Sequence, residues 1–166
     1  SSILPLKCLR QFLENRRNMG LCYKGYNMNS KQRSYCMSKI KGKNTTPEMQ
    51  VRRTFFAKGY RYRIHVKNLP GTPDIFFPSR RLAVFVHGCF WHRHRICRSG
   101  KSIPRRNEDY WTAKFNQNKG RDRRNKRQLI LLGYRVAIIW ECETKNLVEL
   151  SVKLGCLMRS HRRLSR

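Results

Sequence analysis

Apolar and polar positions change period along this chain, and each change marks an element. Thr45-Thr46-Pro47-Glu48 has the form of a helix start: a Thr cap, Pro in the first turn, and Glu three residues after Thr45. Val51 and Phe55 then share a face, and Gly59 supplies a stop. From Tyr60 the period drops to two. Tyr60, Tyr62, Ile64 and Val66 alternate with Arg61, Arg63 and His65, which predicts a half-buried strand. Leu69-Pro70-Gly71-Thr72-Pro73 reads as a turn and Asp74-Ile75-Phe76-Phe77 as a second strand. Ser79-Arg80-Arg81 is a tight connection to a third, Leu82-Ala83-Val84-Phe85-Val86, whose unbroken apolar run predicts a central place in a sheet. A basic loop over 98–107 leads to a long helix over 109–132 that carries Trp111, Phe115, Leu129 and Leu132 and stops at Gly133. Val136-Ala137-Ile138-Ile139-Trp140 predicts another buried strand, residues 145–158 a last amphipathic helix, and a basic tail follows. The series is α/β: a mixed central sheet flanked by helices. Residues 1–30, with Leu9, Phe12 and Leu13 as the makings of one short helix, predict a flexible basic extension ahead of a single domain over 31–166.

Charge changes the picture next. Lys and Arg total 38 against 9 acidic residues, a formal net charge of +29 on 166 residues. Such an excess opposes compaction and favours a polyanionic partner, nucleic acid first, because neutralising phosphates releases counterions. A ribosomal-type basic protein shares that charge. Against it, 11% of the residues are aromatic, and several stand in apolar runs that demand a packed core. No run approaches the roughly 20 apolar residues that span a bilayer. The seven cysteines are odd in number, and three of them cluster near histidines or a strand end, which points to metal binding in a reducing, cytoplasmic compartment.

The candidate chemistry lies in Val86-His87-Gly88-Cys89-Phe90-Trp91-His92-Arg93-His94-Arg95-Ile96-Cys97. Cys89, then His92 or His94, then Cys97 offer zinc ligands, and Cys142 in Trp140-Glu141-Cys142 is a candidate fourth. From spacing, either histidine serves. The other is free for acid–base work, with Asp122 as a carboxylate to fix its tautomer. Asp74 opens a strand in a strongly basic chain and, with Glu48, could hold Mg²⁺ against a phosphodiester; a capping or turn role is the plainer reading of each. This is the logic of the PD-(D/E)xK nucleases, although Phe85-Val86-His87 stands where Asp/Glu-x-Lys would be.

Pro70-Gly71-Thr72-Pro73-Asp74, His87-Gly88-Cys89-Phe90-Trp91-His92, Tyr110-Trp111 and Trp140-Glu141-Cys142, in that order, resemble the Vsr family of very short patch repair endonucleases, which nick T:G mismatches. The resemblance covers roughly 31–145. It implies a restriction-endonuclease-like core with a structural zinc held by Cys89, His94, Cys97 and Cys142. It also implies a catalytic Mg²⁺ at Asp74 and the Val86 carbonyl, His92 paired with Asp122 as the base, and Glu48 and His87 near the reaction. Phe90, Trp91 and Trp111 would wedge into DNA beside the mismatch, against the plainer reading of Phe90 and Trp91 as core. Basic residues over 101–106 and 121–127, among them Arg121, Arg123 and Arg124, would contact phosphates. A MutL-type mismatch-repair protein is the implied protein partner, a monomer the expected state, and the prokaryotic nucleoid the expected place of action.

Overall fold

In the computed structural model, which describes residues 42–104 and 107–159, the Thr-Thr-Pro-Glu start forms as expected. Thr45 is extended, and its hydroxyl oxygen accepts the Glu48 amide at 3.5 Å, with Pro47 in the first turn of α1 (Thr46–Ala57). Glu48, Val51, Arg52 and Phe55 make its buried face. The stop at Gly59 holds, because the chain turns there through φ +79°, a conformation that favours glycine. The fold that follows is that of the unit Asn44–Arg166. The expectations for residues 1–30, for Arg105 and Arg106, and for the tail beyond 159 lie outside the described residues.

Three strands form one sheet: β1 (Ile75–Phe77), β2 (Leu82–His87) and β3 (Arg135–Trp140). β2 is central as its apolar run predicts, antiparallel to β1 and parallel to β3. Ile75 faces Val84 across the first pair, and Leu82 to His87 face Arg135 to Trp140 across the second. This mixed pairing brings the start of β1, the end of β2 and the end of β3 to one edge of the sheet, and the chemistry-bearing residues collect there.

Strand alternation divides the core in two. Ile75, Phe77, Leu82, Val84 and Ile139 face Val51 and Phe55 of α1 and Leu150, Leu154 and Met158 of the last helix. Phe76 and Ala83 face the other way, onto Leu69 and onto Leu129 of the long helix. Between β2 and β3 lie a single helical turn, α2 (Arg98–Lys101), and the long α3 (Glu108–Leu131); α4 (Leu147–Arg159) ends the described chain. A short 3-10 turn, Glu141–Thr144, joins β3 to α4.

Two expectations need correction. Tyr60 to Val66 is not a strand: only Arg63 pairs, with Phe76, through two mutual backbone bonds of 2.8 Å. The alternation is real as far as Tyr62, whose ring meets Phe77 edge-on at 5.9 Å. His65 then takes φ +49°, which breaks the pleat, and Ile64 stays exposed. The sheet therefore has three strands rather than four. The segment 98–107 is not wholly loop, since α2 occupies its start.

Two leucines near the end of α3 separate packing from propensity. Leu129 is fully buried against the sheet, whereas Leu131 is 76% exposed. Leu129→Ala is expected to lower unfolding free energy by about 2–5 kcal/mol, and Leu131→Ala to change it by less than about 0.5 kcal/mol. Urea denaturation of the two variants checks this.

Candidate active site and adjoining metal cluster

Asp74 precedes β1 and reaches across to β2, where its Oδ2 accepts the Val86 amide at 2.8 Å. Among the described residues no protein donor meets its other oxygen. Burial pushes its carboxyl up from the ordinary 3.8 to about 6; the Val86 bond opposes this, Glu48 adds to it, and Arg52 and His92 oppose it.

His87 ends β2 and lies against His92 with ring centroids 3.8 Å apart and planes within 13°. Burial, then the neighbouring His92, pushes His87 down to about 4, so it is neutral at physiological pH. His92 Nδ1 meets Asp122 Oδ2 at 2.5 Å. Burial opposes ionisation of Asp122, but the His92 hydrogen bond together with the charges of His92, His87 and Arg121 outweighs it and holds the carboxyl below its ordinary range. With Nδ1 carrying the proton toward Asp122, the opposite ring nitrogen is left as an acceptor and proton site.

Asp122 is one member of a stripe along α3. Phe115, Asn118, Asp122, Asn125 and Leu129 recur at spacings of three and four, which is one helical face. Asn118 donates to the Trp91 carbonyl at 3.1 Å and so holds the turn that presents His92. Asn125 packs on Gly71, where an added Cβ would fall 2.6 Å from its amide nitrogen. The helix therefore touches both the Pro-Gly-Thr-Pro-Asp turn and the His92 turn. Sequence reasoning found Asp122 and missed both asparagines, although their period was there to be read.

Glu48 is engaged rather than open. Its Oε1 accepts the Thr45 hydroxyl at 2.9 Å, and its Oε2 accepts the Asn44 amide at 2.9 Å and Arg52 Nη2 at 3.2 Å. It caps α1 and pairs with a buried arginine, a partner that sequence patterning did not reveal.

Beside the dyad, Cys89, His94, Cys97 and Cys142 bring their ligand atoms within 4.8 Å of one another. His94 Nδ1 lies 3.7 Å from the Cys89 sulfur and 3.3 Å from the Cys142 sulfur. A tetrahedral zinc ion would set such sulfur–nitrogen edges at roughly 3.5 Å, so the cluster fits a metal. The sulfurs also take backbone amides: Cys142 N–H to Cys89 at 3.4 Å, and Gly100 N–H to Cys97 at 3.4 Å. Burial pushes the Cys89 thiol up to about 12 and raises Cys142, so a buried cation is what would let both ionise. For Cys97, amide donors and the neighbouring thiols outweigh burial and hold the thiol down. Gly100 cannot be enlarged, because a Cβ there would sit 2.1 Å from the His94 carbonyl oxygen. Here the structure separates the two histidines: His94 joins the thiols and His92 the carboxylate.

Trp140 forms the wall between the two groups. The His94 ring stacks on it at 4.3 Å, and the His87 ring meets it edge-on at 5.4 Å. On the outer side, Phe90 is buried among Trp91, Trp111 and Phe115, with centroids 5.2–5.3 Å away. Trp91 and Trp111 are half-buried, and Arg121, Arg123 and Arg124 are exposed on α3.

Known proteins share much of this sequence. A family model described as DNA mismatch endonuclease Vsr matches residues 27–98. The chain is 48% identical over 127 residues to the type II nicking enzyme V.XorIIP of Xanthomonas oryzae, covering 76% of this chain and 92% of that protein. It is 41% identical over 128 residues to V.NmeAIP of Neisseria meningitidis, covering 77% and 90%. With the DNA mismatch endonuclease Vsr of Escherichia coli K12 it shares 37% over 110 residues, 66% of this chain and 69% of that enzyme. A histidine–carboxylate pair beside a strand-start aspartate, carried on a sequence with these relatives, places the chain in the Vsr family of DNA endonucleases.

Proposed function

We propose that this protein nicks one strand of double-stranded DNA at a T:G mismatch, by Mg²⁺-dependent hydrolysis on the 5′ side of the thymine. The observation that carries the reading is the convergence of Asp74, His87, His92 and Asp122 on one edge of the sheet. Binding DNA requires none of these four in this arrangement; activating water does. The names of the relatives, a mismatch endonuclease and several nicking enzymes, support strand nicking and the choice of substrate.

Asp122 accepts the Nδ1 proton of His92 and fixes its tautomer, so Nε2 takes the proton of the attacking water. Water oxygen bonds to phosphorus, the bond to the 3′ oxygen breaks, and a 5′-phosphate and a 3′-hydroxyl remain. His87, neutral and stacked, holds the His92 plane. Asp74 and the Val86 carbonyl would hold Mg²⁺, hard oxygen donors suited to a hard cation. When bound, that ion supplies positive charge opposite the phosphodiester oxygens. Glu48 belongs to the site through its charge near Asp74. Trp91 and Trp111, with Phe90 behind them, form an aromatic ledge suited to a base pair that unstacks easily. Arg121, Arg123 and Arg124 lie on the exposed side of α3, where phosphates would pass. Zinc in the Cys89, His94, Cys97 and Cys142 cluster is structural, and the core around it is restriction-endonuclease-like. The protein acts as a monomer at the bacterial nucleoid, with a MutL-type repair protein as partner. Among the described residues no helix is long and apolar enough to cross a membrane.

Matched duplexes test the function, one fully paired and one with a single T:G pair. Nicking confined to the thymine strand of the mismatch, abolished by EDTA, is expected. His92→Ala should slow it by about 10²–10⁴-fold, and Asp74→Ala should remove it. Equal cutting of both duplexes would instead mark a nuclease of restriction or homing type, and tight binding without cutting a DNA-binding protein.

Asp74 also makes stability depend on pH. Its folded value near 6 lies above the ordinary 3.8, so the folded state binds the extra proton between them. That contribution is complete below about pH 4 and is lost as pH rises through about 6. Asp74→Asn keeps an acceptor for Val86 and avoids the loss. In EDTA at pH 7.5 it is expected to be more stable than the unaltered protein by about 2 kcal/mol, a gap that closes near pH 4. Urea denaturation across that range checks it.

Zinc analysis is expected to return one ion per chain. Cys142→Ser should lose it and lower the melting temperature by on the order of 10 °C. Nicking should disappear with it, since His92 lies between two of the four ligands.

A further inference from the structure

Arg52 has no part in the chemistry above, yet it is 5% exposed and touches α1, the 63–66 segment and the start of β1 at once. Its Nη1 donates to Asn44 Oδ1 at 2.6 Å. Its Nη2 has three acceptors in reach: Glu48 Oε2 at 3.2 Å, the Asp74 main-chain carbonyl at 3.3 Å and His65 Nε2 at 3.4 Å. The Tyr62 hydroxyl donates to Arg52's own carbonyl at 3.0 Å. Two buried carboxylates near each other would each oppose ionisation of the other. Arg52 stands against one of them and grips the backbone of the second.

We propose that Arg52 is a positioning residue of the nuclease site, neutralising Glu48 and fixing the Asp74 backbone so that Asp74 alone presents an open carboxylate. Glu48 is then the counter-ion of Arg52, neither base nor metal ligand. This rests on the reading of Asp74 as the metal-binding carboxylate. The hydrogen bonding distinguishes the two acids. Both Glu48 oxygens are taken by Thr45, Asn44 and Arg52, whereas Asp74 has one oxygen on Val86 and no described protein donor on the other. Lysine could not replace the guanidinium, because one ammonium cannot serve Asn44, Glu48 and Asp74 in their separate directions.

Removing one member of a buried ion pair leaves an uncompensated charge, whereas replacing both by neutral groups of similar size is nearly neutral. That asymmetry is the test. Arg52→Met, Glu48→Gln, the double variant and Arg52→Lys, all in the full chain, are compared for melting temperature in EDTA, for its rise on adding Mg²⁺, and for single-turnover nicking. Arg52→Met is expected to melt about 5 °C lower and to nick roughly 100-fold more slowly. The double variant should regain most of the melting temperature and roughly tenfold of the rate, with a Mg²⁺-induced rise equal to that of the unaltered protein. Arg52→Lys should melt close to the unaltered protein and nick roughly tenfold more slowly.

A double variant that loses the Mg²⁺ response, or is no faster than Arg52→Met, overturns the assignment and makes Glu48 a ligand or base. An unaltered protein without any Mg²⁺ response or nicking would overturn the nuclease reading itself, and this assignment with it.

Discussion

The segment 88–97 leaves β2 with no ladder left to join, and the cluster of Cys89, His94, Cys97 and Cys142 is what gives it a shape. Cys89 and His94 bracket His92, so the position of the imidazole follows from how those two are held. Backbone bonds within the turn (His92 N–H to Gly88, His94 N–H to Cys89) are few and local, and the fourth member of the cluster comes from beyond β3. The parallel pairing of β2 with β3 is therefore a requirement of the site. It delivers Cys142 to the same edge as His87, and it places Trp140 between the thiol cluster and the stacked histidines.

Much of this was legible in the sequence because it is local or periodic. The capping Thr45, the stop at Gly59, the central β2 and the burial of Phe115 and Leu129 on α3 each follow from a few neighbouring residues, whereas Leu132, read onto the same face, is 52% exposed. The convergence of Cys89, His94, Cys97 and Cys142 was legible as a set, since thiols and imidazoles are rarely placed together for packing. Spacing did not choose between His92 and His94, and the fold did, by turning one toward sulfur and the other toward Asp122. Tyr60 to Val66 misled because alternation reports side-chain burial, while strand formation also needs a backbone partner. Only Arg63 has one. Arg52 was invisible for another reason: a buried polar residue is identified by its partners, and two of its own, His65 and Asp74, lie on other segments.

The acidic residues show how strongly the charge balance is constrained. In a chain of net charge +29 the few carboxylates within the described residues all have definite placements. Glu48 holds the α1 cap and Arg52; Asp74 takes the Val86 amide; Asp122 holds His92. Glu141 takes the Cys89 amide, Glu143 the Trp140 amide and Lys153, and Glu149 the Asn146 side chain. Glu108 and Asp109 lie in the first turn of α3, where a helix favours negative charge. Each caps an element or orients a group at the sheet edge, and Glu143 also pairs with an exposed lysine.

That economy bears on how the proposed site would work. The Val86 amide, Arg52 and His92 favour the ionised form of Asp74, and burial opposes it; burial prevails, leaving it near 6. Phosphates docking nearby would make ionisation costlier still. A divalent cation beside Asp74 acts in the opposite sense. Substrate and metal would therefore favour one another at this edge, because the cation would offset the cost that burial and a nearby phosphodiester place on the ionised carboxylate.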